Sequence, residues 1–434
     1  MLETVQCRFR AAAVLLAWCI AAATAGAADW PHWRGPDRND TTAEDSGWDR
    51  GAWPLGDPAW TAQVGIGGTS PIVAGGHVYV MGWSEGAETV LSLDAATGRE
   101  VWRQSYACPE HPRYHKGDES LYGGPSSTPE FDAETGYLYT LSTDGDLNCW
   151  DTGDGGRRVW GGNLYDQYGV PRRPNVGGDQ RDYGYVTSPL VYGDWLIVEV
   201  GSGQGTLLAY DKRTGAGAWA SECTDPAGHC AGMVLMDVGG VSCVGTLTLH
   251  RFLLARLDPG HEGETLATWD WQTDFANAIP SPAVAGESVI LSAGYNTSRT
   301  ERVRFTPAGP ELVWKITGRF TKVCSPVVYN DCVYFAWQKL RCFDLATGQQ
   351  RWEGGSFGDD ASCLVTADGR IIVFGHKRIV LAESADRSPD AYTELSARAG
   401  AGSGYCWPHL AMAEGRIYVK DAKGSLMCYG LGQG

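Results

Sequence analysis

Thr69-Ser70-Pro71-Ile72-Val73, then Val78-Tyr79-Val80, then Leu91-Ser92-Leu93-Asp94, Thr97-Gly98 and Val101-Trp102 form one pattern. A Ser-Pro start leads into a β-branched pair, a turn, an aromatic strand and a second turn. A third strand then ends in Asp-x-x-Thr-Gly, and a Trp follows. The pattern returns from Ser188-Pro189 through Asp211, Thr214-Gly215 and Trp219. It returns again from Ser325-Pro326 through Val333-Tyr334-Phe335, Asp344, Thr347-Gly348 and Trp352. Weaker copies run from Thr128-Pro129 to Trp160, Met233 to Trp269, Ser281-Pro282 to Trp314 and Ser362 to Leu395.

Units of about 40–60 residues, each holding four short strands, have the period of propeller blades. Alternating runs such as His77-Val78-Tyr79-Val80 bury one set of side chains. The Gly that ends each Asp-x-x-Thr-Gly supplies positive φ for a tight turn, and the Asp accepts backbone N–H groups within it. The Trp residues at 102, 160, 219, 269, 314 and 352 are expected to dock against the neighbouring blade. A lone four-stranded blade has two wet faces, so blades must stack and close radially. The reading is an all-β, eight-bladed β-propeller of four-stranded antiparallel blades over residues 59–434. Asp132-Ala133-Glu134-Thr135-Gly136 matches the turn motif without the Trp and is expected to be an inner hairpin turn.

The last repeat begins near Trp407-Pro408 and runs through Ile417-Tyr418-Val419 and Leu426-Met427-Cys428-Tyr429 without its Trp-bearing part. Pro58-Ala59-Trp60-Thr61-Ala62-Gln63-Val64-Gly65 is the converse, a Trp-bearing strand with nothing before it. Joining them completes one blade from both ends of the chain, so the ring is expected to be closed by an N-terminal strand. The alternative is a loose linker beside seven full blades and a fragment.

Arg8 and Arg10, the apolar run Ala11 to Ala23 and the small residues Ala25-Gly26-Ala27-Ala28 read as a secretory signal over residues 1–27. The competing reading is an uncleaved anchor. Residues 28–58 form an N-terminal extension. Export to the periplasm or beyond follows as an expectation, with no integral span after cleavage. A net charge of −16 opposes binding to nucleic acid or to anionic membrane surfaces. Among 13 cysteines there is no Cys-x-x-Cys and no adjacent pair. Most read as small buried hydrophobes, while Cys223/Cys230 and Cys332/Cys342 are candidate disulfides.

The Asp-x-x-Thr-Gly-…-Trp ends at 94–102, 211–219 and 344–352, with their Ser-Pro strands, resemble the repeats of quinoprotein-type, PQQ-like propellers. That family includes the pyrroloquinoline quinone (PQQ) dehydrogenases and the BamB assembly lipoproteins. Asp29-Trp30-Pro31-His32-Trp33-Arg34-Gly35-Pro36 resembles the opening of a bacterial subgroup of the same repeat proteins. The resemblance implies the architecture and, in one branch, PQQ with Ca²⁺. Departures from that branch are the missing vicinal cysteines and the missing Cys-x-x-Cys-His; BamB differs by its lipobox.

Gly82-Trp83-Ser84-Glu85-Gly86 and Gly354-Gly355-Ser356-Phe357-Gly358 match Gly-x-Ser-x-Gly, but both lie between strands of a repeat and lack the helix a nucleophile elbow needs. Cys108, His111 and His115 are a candidate transition-metal set, against an ordinary solvated loop. The starts of the innermost strands should face the central channel, which makes Tyr185, Asn277, Lys322, Tyr405 and Trp407 its candidate residues. They could bind a planar anionic cofactor or a peptide; the alternative is a water-filled channel. The functional reading is a non-catalytic binding or scaffolding module with a protein partner or small ligand in the envelope, monomeric. The alternatives are a PQQ-dependent dehydrogenase and a metal- or carbohydrate-binding propeller.

Overall fold

The computed structural model describes residues 29–108, 123–171, 183–274, 277–295 and 297–432. These residues form eight antiparallel sheets arranged as the blades of a propeller. Blade 1 is β2 (Ile72–Ala74), β3 (His77–Ser84), β4 (Ala87–Asp94) and β5 (Glu100–Ala107), ordered from the channel outward. Blades 2 to 5 and 7 repeat that order at 130–163, 190–220, 234–270, 283–317 and 362–399. In blade 6 the long run Cys332–Asp344 turns at Gln338, where φ is 58°, and so supplies two strands. The expected signal over 1–27 lies outside the described residues.

Blade 8 takes β29 (Ala411–Ala413), β30 (Arg416–Lys420) and β31 (Ser425–Gly430) from the C-terminal region and β1 (Trp60–Gln63) from the N-terminal region. Trp60 pairs with Cys428, and Gln63 with Ser425. The N-terminal strand thus closes the ring, and the linker alternative does not hold.

The Asp-x-x-Thr-Gly ends act between blades. Asp94 Oδ1 accepts from Thr97 N–H at 2.8 Å and from its hydroxyl at 2.6 Å; Asp211 and Asp344 repeat the contact with Thr214 and Thr347. The Gly has φ of 68°, 73° and 72° at positions 98, 215 and 348. A Cβ there would lie 2.5–2.8 Å from the indole of Trp60, Trp160 or Trp314 in the preceding blade. Each indole N–H donates to the backbone oxygen just after the motif's Asp: Trp60 to Ala95 (3.0 Å), Trp160 to Lys212 (3.2 Å), Trp314 to Leu345 (2.8 Å). The Gly therefore serves twice, as a left-handed corner and as a seat with no side chain.

The other tryptophans vary the arrangement. Trp102 is buried over Gly156, and Trp269 donates to Glu301 at 3.0 Å. Trp219 meets Trp195 edge-on, and Trp352 is buried beside Tyr334 and Tyr392. Asp132–Gly136 joins Glu130–Asp132 to Tyr137–Leu141, an inner hairpin turn.

The Ser-Pro starts form a belt around the channel. His409 N–H donates to Ser70 Oγ (2.7 Å), Ser70 N–H to Thr128 Oγ1 (3.0 Å) and Thr128 N–H to Ser188 Oγ (3.0 Å). Ser188 N–H goes to Ala231 O, and Ala231 N–H to Ile279 O, both at 3.0 Å. Ser281 N–H donates to Ser325 Oγ (3.1 Å) and Leu410 N–H to Ser362 Oγ (3.3 Å). Hydroxyls, and at Ala231 and Ile279 carbonyls, thus satisfy amides of the neighbouring blade around the channel, where orphaned groups would be costly.

All eleven cysteines among the described residues are free thiols, which corrects the two disulfide expectations. Cys230 donates to Gly232 O at 3.2 Å and Cys223 accepts from Thr206 Oγ1 at 3.5 Å, so each sulfur has its own neighbours.

Candidate functional site

The N-terminal extension is not a loose tail. Trp30 exchanges two backbone hydrogen bonds with Val73 of blade 1 (2.7 and 2.8 Å). Thr42 N–H reaches Val365 O (3.0 Å), and Val365 N–H reaches Asp40 O (2.9 Å) in blade 7. Glu44 accepts from the N–H groups of Glu414 and Gly415 in blade 8. Between these anchors the chain crosses the channel. Trp33 Nε1 donates to Ser281 Oγ (2.9 Å), and Arg34 reaches the carbonyls of Pro282 (2.9 Å) and Pro326. Arg34 is 2% exposed and ion-paired with buried Asp40. Burial works to raise the Asp40 carboxyl, but Arg34 and His409 beside it hold it below the usual range.

Glu130 stands in the same plug. It meets Arg38 and, at 3.2 Å, His32 Nδ1, and also accepts from Val191 N–H (2.8 Å). Its burial pushes its carboxyl up, yet the two bases prevail and its pKa is about 2.

Above the plug lies a cup of about 780 Å³. Trp33 and His409 line it together, their rings 4.5 Å apart. One wall holds Tyr183, His229, Tyr295 and Lys322, with Lys322 Nζ 5.4 Å from the Tyr295 ring. The other holds Asp359, Asp360, His376, Lys377, Tyr405, Trp407 and Lys423. Tyr405 and Trp407 are stacked at 4.6 Å and 7°. Asp360 accepts from Cys406 N–H at 2.7 Å, and Asp421 gathers the N–H groups of Ser403, Gly404 and Lys423. These bonds hold the loop that carries the stacked pair.

Of the candidate channel residues, Lys322, Tyr405 and Trp407 line the cup. Asn277 stands behind it, 3.4 Å from the Tyr183 hydroxyl. Tyr185 does not reach it: its ring packs on Tyr165 and its hydroxyl donates to Val200 O. In the candidate metal set, Cys108 is buried and donates to Asp144 Oδ2 at 3.3 Å, while His111 and His115 lie outside the described residues. Reading strand starts missed Trp33, His376, Lys377, His409 and Lys423. His409 follows its Pro whereas the other repeats place a Ser or Thr before theirs, so only the structure shows that its N–H meets Ser70 as the Ser70 N–H meets Thr128.

The residues can be tested against PQQ with its metal. Three lysines and flat aromatic faces suit a planar carboxylate. Among the described residues, however, no group of three or more His, Cys, Asp or Glu could hold a metal ion. The described lining, with Asp359 and Asp360 as its carboxylates, offers no set of three such ligands to place a metal beside a quinone.

Residues 86–244 match the family described as outer membrane protein assembly factor BamB. No curated protein matches the chain in sequence. Among solved structures the chain is similar to BamB from Moraxella catarrhalis, at 12% identity and TM-score 0.58, over 87% of this chain and 99% of that one. It is also similar to the quinohemoprotein alcohol dehydrogenase of Comamonas testosteroni, at 14% identity and TM-score 0.63, over 94% and 81%. The computationally designed Ika8 protein matches at 10% identity and TM-score 0.55, over 86% and 100%. At these identities the likeness is one of fold.

Proposed function

We propose that this chain, an eight-bladed propeller whose residues 86–244 match the BamB family, is a binding module of the cell envelope, with the central cup as its ligand site. The observation that carries the reading is the plug. Trp33 and Arg34 close the channel below with buried, hydrogen-bonded side chains, leaving a cup open on one face. Concave sites of a few hundred to about 1,000 Å³ with a few converging polar groups are what ligands of this size class need. Envelope placement is supported by the signal-like N-terminus and the BamB match.

Photo-crosslinking in cells tests this. A photoreactive phenylalanine at Tyr405 should give a defined adduct, while the same group at Val101, exposed on an outer strand, should not. Equal labelling at both positions, or none at Tyr405, overturns the reading.

The dehydrogenase alternative draws on the Comamonas likeness. Against it stand the absent vicinal cysteines and the lining's lack of a metal set. Purified protein given PQQ and Ca²⁺ should not reduce dye with alcohols above background. Turnover on the order of 1 s⁻¹ would reverse that conclusion.

A further inference from the structure

Three features of the cup point to an occupant. The first is His409. It is 2% exposed, its Nδ1 faces Asp40 Oδ1 at 3.7 Å, and its Nε2 has no hydrogen-bond partner. A buried polar atom without a protein partner, in the lining of a cavity, is a hydrogen-bonding position open to whatever occupies it.

The second is the turn between Arg370–Gly375 and Arg378–Glu383. Gly375 pairs with Arg378, so His376 and Lys377 are its two central residues, with φ of 51° and 58°. A two-residue turn of this kind favours Asn-Gly, because side chains in the left-handed region are strained. Here a cationic residue and an imidazole take both positions, and both line the cup. Strain at a cavity wall marks a position held for contact.

The third is the balance of charge and flat surface. In a chain of net charge −16, one cup gathers three lysines, Lys322, Lys377 and Lys423, against two carboxylates, Asp359 and Asp360, of which Asp360 is taken up by Cys406 N–H; at its rim Tyr405, 52% exposed, stacks on Trp407.

We propose that the cup binds an acidic saccharide. The open face of Tyr405 receives the flat C–H face of a sugar ring. Lys377 and Lys423 meet its carboxylates through charge-assisted hydrogen bonds. A ring hydroxyl donates to His409 Nε2 at the bottom. A peptide adding as a strand is disfavoured at blades 1 and 7, where the plug already occupies the inner edges at Val73 and Val365. This assignment rests on the cup being the ligand site.

Calorimetric titration of the protein with tri-galacturonate, a matched neutral trisaccharide and PQQ tests it. The acidic trisaccharide should bind at least tenfold more tightly than the neutral one. His409→Phe, which keeps an aromatic ring against Trp33, should weaken binding of both saccharides about tenfold. Lys423→Gln, at the rim, should lower the preference for the acidic one and spare the neutral one. Circular dichroism melting checks that each variant is folded, and Lys423→Gln keeps the test decisive should His409→Phe fail to fold. Absence of saccharide binding, equal affinity for the two saccharides, tighter binding of PQQ, or unchanged preference in Lys423→Gln overturns the assignment. A crosslink from Tyr405 without saccharide binding removes the ligand class and leaves the cup; silence in both removes both.

Discussion

Glu88 and Lys420 are buried ionisable side chains of opposite sense. Burial pushes the Glu88 carboxyl up to about 7, against the pull of the Tyr106 hydroxyl that donates to it at 2.6 Å. Burial pushes the Lys420 amine down to about 7; its Nζ donates to Gly67 O, and the Asp421 charge opposes the shift only in part. Glu88 holds a proton in the folded state that the unfolded chain releases above its ordinary pKa. Its contribution is therefore full below about pH 4.5 and is lost as pH rises to about 7. Lys420 is neutral when folded at pH values where the unfolded amine is charged. Its burial thus becomes less unfavourable as pH rises from about 7 to about 10.5. Glu88→Gln should flatten the stability profile between about pH 4.5 and 7 by on the order of 3 kcal/mol, and Lys420→Met should remove the alkaline rise. Profiles unchanged in both variants would show that neither group titrates in these windows.

At the scale of the element, the strand ends do the joining. Gly98, Gly215 and Gly348 carry indoles of the preceding blade, so Gly348→Ala should destabilise the ring by a few kcal/mol, through strain at positive φ and displacement of Trp314. Trp352→Ala should cost about 3–5 kcal/mol, as other buried Trp truncations do. Ser70→Ala leaves His409 N–H without its acceptor and should cost about 1–3 kcal/mol. Urea denaturation measures all three; stability equal to the unaltered chain would contradict the blade-to-blade account. These elements were legible in sequence because turn, strand and Trp are local and repeat. The hydroxyl belt was not, since its partners lie in neighbouring blades. The cup's charged wall was hidden for a similar reason: His376 and Lys377 fall in the degraded repeat from Ser362, at a turn whose usual Asn-Gly signal is absent. Trp33 and Arg34 were set apart with the extension because residues 28–58 show neither period.

For the whole molecule, two N-terminal segments have separate tasks. A chain beginning at Ala59 keeps β1 and lacks the plug. It should retain a single cooperative melt at lower temperature, because Glu130 loses Arg38 and His32 and blades 1, 7 and 8 lose their bonds to the plug. A chain beginning at Gly67 also lacks β1. It should lose cooperativity and aggregate, since β31 is left with a bare edge. If the two chains melt alike, plug and closing strand are not distinct.

The pairing of Trp60 with Cys428 also sets an order of events. A chain delivered from its N-terminus, by a ribosome or through a secretion pore, presents β1 long before β31. Seven blades can form in turn from neighbouring segments, but the eighth waits for the last strands. Joining ends so far apart carries only a modest entropic cost, because that cost grows with the logarithm of the loop. The delay is greater than the cost. Until β31 arrives, β1 is an unpaired strand and the nascent arc is open at both edges, which is the interval in which a holding chaperone has something to hold.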